Sequence, residues 1–157
     1  MRPAKKSNAT AEALGRSRGG FSTKVYAAVD ALGNPLKPSL RPGQRADIVD
    51  AEALIAPYLA PEEETDRRAG AVIADKGFDS ADFVAWIEEH DAEVVIPSRR
   101  TNAVQRPVNA NLYADRNKVE RFFGRIKHDR RIATRYEKTA RNYLAFLHVA
   151  STVTLLL

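Results

Sequence analysis

Asp75 closes a four-residue apolar run, Ala71-Val72-Ile73-Ala74, and is followed by Lys76-Gly77. A run of that length, bounded by polar residues, suits a short buried strand. Ligands of open α/β sheets bind beyond the carboxyl ends of their strands. A carboxylate there is placed to hold a hard cation such as Mg²⁺, which takes oxygen ligands. The plainer reading is an Asp that opens the turn to the next helix. A second polar set follows: Tyr113, Arg116, Glu120 and Lys127. On a helical wheel with Arg116 at zero, Lys127 falls at about 20°, Glu120 at about 40° and Tyr113, if helical, at about 60°. Val119, Phe122, Phe123 and Ile126 fall between roughly 240° and 340°, an adjacent apolar stripe. Such a helix would pack by its apolar stripe and present Tyr, Arg, Glu and Lys along one flank. The plainer reading is an Arg116–Glu120 ion pair on a solvated face, worth a few tenths of a kcal/mol.

The rest of the composition narrows the chemistry. The 157 residues contain no cysteine, which excludes disulfide frameworks, thiolate zinc sites and Cys nucleophiles. Three scattered His make a His-rich metal site a poor candidate. With 44% hydrophobic residues the chain is too apolar to be wholly disordered. Its first residues, MRPAKKSNATAEALG, lack the apolar core of a signal peptide. The most apolar stretch, residues 143–157, contains His148, Ser151, Thr152 and Thr154 and falls short of the roughly 20 residues a membrane span needs. A cytoplasmic protein without a membrane partner is expected. The formal charge of +5 is unevenly spread: residues 1–41 carry +6, residues 42–96 carry −10 and residues 97–141 carry +9. Two basic blocks around an acidic one suggest a polyanion such as DNA or RNA. A solvated surface is the bland alternative.

The elements that must position these residues read as one domain. Residues 1–18 are expected as a loose basic arm. Residues 21–30 (FSTKVYAAVD) read as a strand, Gly33-Asn34-Pro35 as a turn, and residues 36–40 as the returning strand. Helical spacing covers residues 45–59, with Asp47 as a cap. Residues 61–70 form a charged loop, in which Glu62 to Glu64 are solvated. After the strand at 71–74, Asp79 or Ser80 caps a helix running to His90, with Phe83, Trp86 and Ile87 in the core. A second buried strand spans 93–96, stopped by Pro97. A basic loop covers 98–112, and helices cover 116–129 and 139–157. His148 is read as a packing or solvent-facing residue; His128, beside Lys127, is within reach of DNA but is not counted among the contacts. Strands alternating with helices imply an α/β layer with at least one parallel pair.

These residues also carry a resemblance. Tyr113-x₂-Arg116-x₃-Glu120-x₆-Lys127 matches in full the Y-(2)-R-(3)-E-(6)-K signature of DDE transposases from bacterial insertion sequences. The segments GRSRGGFSTKVYAAVDALGNPL, RPGQRADIVDAEAL, VIADKGFDS, AEVVIPSRR and RIATRYEKTARNYLAFLHVAS are similar to the same family, in the same order, from Gly15 onward. The resemblance implies an RNase H-like domain, a mixed sheet with flanking helices, over residues 19–157. It implies that Asp75 is the second catalytic acid and Glu120 the third, sharing Mg²⁺ or Mn²⁺. It implies DNA contacts from Tyr113, Arg116 and Lys127, with Lys76, Arg99 and Arg100 as further contacts. Two metal ions bridged by carboxylates support in-line phosphodiester transfer, and Arg and Lys hold the phosphates. The implied partners are DNA, as element ends and target, and a second copy or a full-length transposase. The implied place is the bacterial nucleoid.

One part of the family pattern has no counterpart. The first acid, an Asp on the first strand, should precede the GRSRGG segment, and residues 1–14 contain no Asp. Asp30 is a poor substitute, because it sits at the hairpin turn. The expectation is therefore a C-terminal part of a transposase that lacks the first strand of its fold and is inactive alone. Both a truncated element and the second frame of a frameshifted gene would produce it. The alternative is a non-catalytic DNA-binding or regulatory fragment.

Overall fold

The structure is a computed structural model that describes residues 11–17, 20–44, 46, 48–59 and 68–156. Most of the expected arm, the Asp47 cap and most of the charged loop with Glu62 to Glu64 lie outside the described residues. Among those described there are five strands: β1 (Gly15–Ser17), β2 (Gly20–Val29), β3 (Pro35–Pro42), β4 (Ala71–Ile73) and β5 (Glu93–Val95). The helices are α1 (Ala51–Leu59), α2 (Ala81–Glu89), α3 (Ala110–Ala114), α4 (Asn117–Ile126), α5 (Arg130–Ala133) and α6 (Ala140–Leu156), with one 3₁₀ turn at Lys76–Phe78. The chain divides into two compact units, Met1–Arg45 with Val119–Leu157, and Ala46–Lys118. The fold is mixed α/β, as expected.

The first unit is built on an antiparallel sheet in the order β1-β2-β3. Thr23 lies opposite Pro42 and Val29 opposite Pro35, with a bulge at Ala28/Val29. The expected hairpin turn forms around Asp30. Its carboxylate accepts the amides of Leu32 and Asn34, each at 2.8 Å, and the Asn34 side chain at 3.0 Å. Gly33 sits at φ 89°, which glycine adopts at no steric cost. Leu40, Phe122, Ile126, Ile132, Tyr143 and Leu147 form the core, with Val25, Ala27, Val29 and Phe123 packed against it. Phe122 and Leu147 expose no surface, and each such burial contributes about 1.5–3 kcal/mol. The described end of the expected arm is tied down. Ala13 is buried in this core, and Glu12 accepts the Ala140 amide at 2.6 Å, an acid at the start of α6.

The second unit is a β4–α2–β5 crossover. β4 pairs with β5 in parallel, Ala71 with Glu93 through Ile73 with Val95, so the predicted parallel pair is present. Ala51, Leu59, Phe83, Ile87, Ala92 and Ile96 are buried together, and Trp86 and Val72 pack against them. Trp86 stacks on Phe83 with ring centroids 6.2 Å apart. Phe83 and Trp86 are core residues, as expected.

Several boundaries differ from the sequence reading, and the expected loose arm contributes β1 at Gly15–Ser17. α1 begins at Ala51, because Asp50 takes φ 71°, a left-handed conformation that no helix interior accommodates. The expected helix over 116–129 is α4, and it stops at Ile126; Asp129 instead caps α5 by accepting the Arg131 amide at 2.8 Å. Tyr113 is not on that helix. It lies in α3, capped by Asn109 within the expected basic loop. The amides of Asp115, Arg116 and Lys118 bond three residues back, to Leu112, Tyr113 and Asp115. That tighter winding breaks the wheel on which Tyr113 was aligned with Glu120.

Candidate functional site

In the second unit, β4 delivers Asp75 to its carboxyl end. There the side chain caps the 3₁₀ turn: Asp75 Oδ1 accepts the Gly77 amide at 2.7 Å. The bond is local, two residues on, as Asp turns require. It fixes one carboxylate oxygen of an exposed side chain. Lys76 and Arg100 are exposed. Arg99 is exposed too, but its guanidinium is turned back on the turn. Nε donates to the Lys76 carbonyl at 3.3 Å and Nη2 to the Gly77 carbonyl at 3.1 Å.

The stretch 98–106, expected as an open basic loop, is gathered around Asp79. Asp79 Oδ2 accepts the Arg99 amide and the Asn102 side chain, each at 2.8 Å. Oδ1 takes Nη1 and Nη2 of Arg106 at 3.4 Å, and Arg106 Nη1 also reaches the Ile96 carbonyl at 2.8 Å. Ser98 Oγ accepts the Arg106 amide at 2.9 Å. The Asp79 side chain is 3% exposed and that of Arg106 25%. Sequence reasoning offered Asp79 or Ser80 as the cap of α2. The N-cap is Ser80, which makes no side-chain cap bond. Nothing local pointed to the true partners, which lie 20 to 27 residues away.

Tyr113 and Arg116 meet within the second unit. The Arg116 guanidinium lies 5.7 Å from the Tyr113 ring centroid, in cation–π range. Lys118 pairs with Asp115 at 2.8 Å on the same surface. Glu120 and Lys127 belong to the first unit. Phe122, Phe123 and Ile126 turn into its core, as the wheel predicted. The Lys127 amide bonds to the Phe123 carbonyl at 3.1 Å, so helical winding carries through to it. Seven residues apart, Glu120 and Lys127 lie about 20° from one another around α4, and both are exposed. Asp30, the poor substitute for the first acid, is committed to its own turn. Burial opposes its ionisation, but the hydrogen bonds from Asn34, Leu32 and Gly33 prevail and hold its carboxyl below the ordinary value.

Among the described residues, no three His, Asp or Glu side chains gather closely enough to hold a metal ion. The candidate acids Asp75 and Glu120 are hard oxygen donors, the kind that Mg²⁺ and Mn²⁺ take. Asp75 fits such a use: one oxygen is oriented by Gly77, and the side chain is open to solvent.

A mixed α/β chain with an acid at a strand end and arginine-rich loops is matched over residues 3–155 by the family model described as Transposase DDE domain. The chain belongs to the DDE transposases of insertion sequences. It is 33% identical over 131 residues to a protein of Brucella ovis whose name gives it as a transposase for insertion sequence element IS6501. The match spans 83% of this chain and 95% of that protein. No solved structure matches. Membership implies DNA as the partner. Among the described residues no helix is long and apolar enough to cross a membrane.

Proposed function

We propose that this chain supplies the second and third acids of a DDE active site, Asp75 and Glu120, on an RNase H-like domain. The parent activity is DNA cleavage and strand transfer at the ends of the element. The observation that carries the reading is Asp75: an exposed carboxylate at the carboxyl end of a parallel strand, with one oxygen held by a backbone amide. When bound, a divalent ion supplies charge stabilisation and an activated oxygen nucleophile. The chain's own residues do the rest. Asp75 and Glu120 present carboxylate oxygens; Arg116, steadied over Tyr113, and Lys127 hold phosphates of the DNA. Lys76 and Arg100 extend that contact, and Arg99 joins them only where its guanidinium leaves the turn carbonyls. Cytoplasmic, nucleoid-associated action and assembly with a second copy or a full-length transposase belong to the same reading.

Mn²⁺ titration followed by electron paramagnetic resonance tests the shared-ion proposal. Asp75→Asn and Glu120→Gln should each weaken binding, and the double variant should weaken it no further. Independent, additive losses would refute a common site. A nicking assay on plasmid carrying the element ends tests the role of Asp75 in the parent activity: Mg²⁺-dependent nicking by the transposase should be lost in Asp75→Ala, and nicking that survives the substitution would refute that role.

A further inference from the structure

Asp79 has no part in the proposal above, yet it is the most deeply buried acid among the described residues. A buried carboxylate persists where every lone pair finds a donor. Here the donors are one backbone amide, one carboxamide and one guanidinium, all from residues 99–106. The first of these matters most. Asp79 holds the backbone amide of Arg99 at 2.8 Å, which sets where the Arg99 side chain starts. From there the guanidinium fork spans the carbonyls of Lys76 and Gly77. The Gly77 residue is thereby held from both sides. Its carbonyl accepts from Arg99, and its amide donates to Asp75 Oδ1. The circuit closes: Asp79 places Arg99, Arg99 pins the Gly77 residue, and that residue orients the Asp75 carboxylate.

We propose that Asp79 is a positioning residue for Asp75, acting through Arg99 and the Gly77 backbone. The proposal rests on the reading of Asp75 as a metal-binding acid, and it gives Arg99 a role inside the fold instead of against DNA. The residue types fit. An Asn at 79 would turn its NH₂ group either toward the Arg106 guanidinium or toward the Arg99 amide and the Asn102 carboxamide, donor against donor. A Lys at 99 would keep the charge but lose the planar fork that reaches two carbonyls.

The Gly77 amide is a direct reporter, because its exchange with solvent requires the Asp75 bond to open. Amide exchange is to be measured by NMR on the whole chain. In Arg99→Gln and Arg99→Lys the backbone amide of residue 99 is retained, so the Asp79 contacts persist and loop 98–106 stays folded. Both variants should speed Gly77 exchange by about tenfold or more. Asp79→Asn should do the same, while amides of β2, β3 and α6 exchange as in the wild type. Wild-type Gly77 exchange in Arg99→Gln would overturn the proposal. So would an Asp79→Asn variant that opens loop 98–106 while Gly77 stays protected. Should Asp79→Asn fail to fold, the two Arg99 variants decide alone. Failure of the Asp75 reading shows separately: Mn²⁺ binding would then ignore Asp75→Asn, while the Gly77 coupling would still appear.

Discussion

Asp30 in the first unit and Asp79 in the second each hold a loop, and they do it at opposite ranges. Asp30 collects its hydrogen bonds from residues two and four positions on, within one turn. Asp79 collects its bonds from residues 20 to 27 positions on, and it is buried while doing so. The core polar anchor of the first unit is of another kind, a neutral hydroxyl: Tyr143 donates to the Ile132 carbonyl at 2.8 Å and ties α5 to α6. The contrast separates a local fastening, which fails by fraying one turn, from a long-range charged fastening, which fails by releasing a whole loop. The second unit places its candidate catalytic acid beside the latter.

Breaking the buried charged anchor should have the largest effect. Asp79→Ala leaves the Arg106 guanidinium without its counter-ion, and such losses cost on the order of 3–5 kcal/mol. Arg106 keeps 25% exposure and its bond to the Ile96 carbonyl, which argues for the lower end. Urea unfolding followed by fluorescence of Trp86, the single tryptophan, reads the second unit directly. A loss under 1 kcal/mol would erase the contrast between the two anchors.

Tyr143→Phe should cost less, about 1–2 kcal/mol, because it orphans one buried carbonyl and no charge. Burial raises the Tyr143 hydroxyl above its ordinary pKa; Arg135 opposes the rise and Glu137 adds to it. A raised pKa in the folded state means stability that is present below the unfolded value and lost as pH rises through the folded one. The wild type should therefore weaken at alkaline pH more steeply than Tyr143→Phe, as thermal melts across that range would show.

Asp30→Ala should cost about 1 kcal/mol, the size of a lost local cap. Its pH dependence has the opposite sign to that of Tyr143. The depressed carboxyl contributes stability present above its unfolded value and lost as pH falls through its folded value. Acid should loosen the Asp30–Asn34 turn in the wild type, and Asp30→Asn should remove that part of the response. Hydrogen exchange of the Leu32 and Asn34 amides is the measurement.

The same contrast explains what could be read in advance. The hairpin, its Asp30 turn, the β4–α2–β5 crossover and the core positions of α2 and α4 all follow from local pattern and turn chemistry. Asp75 at its strand end was equally legible, since an apolar run followed by Asp-Lys-Gly is a local signal. The α3–α4 break was not, because it depends on bonds three residues back that leave the spacing of apolar residues intact. Asp50 at positive φ shortened α1 for a similar reason. Of the two cap candidates Asp79 and Ser80, the long-range role of Asp79 was not legible, because its partners are set by tertiary folding. Its nearest neighbours in sequence offered a helix to cap, and Ser80 took that place.

The smallest effect should fall on the residue with the largest proposed role. Asp75 is exposed, and its one fixed oxygen accepts a backbone amide that an Asn side chain can satisfy as well. Asp75→Asn should thus change unfolding stability by no more than about 0.5 kcal/mol. In a complete transposase the same substitution should remove metal-dependent cleavage, because the carboxamide exchanges an anionic oxygen ligand for a neutral one. Stability kept and cleavage lost is the signature of a residue selected for chemistry. A stability loss matching that of Asp79→Ala would instead make Asp75 a second structural anchor and dissolve the distinction between the acid that acts and the acid that holds it.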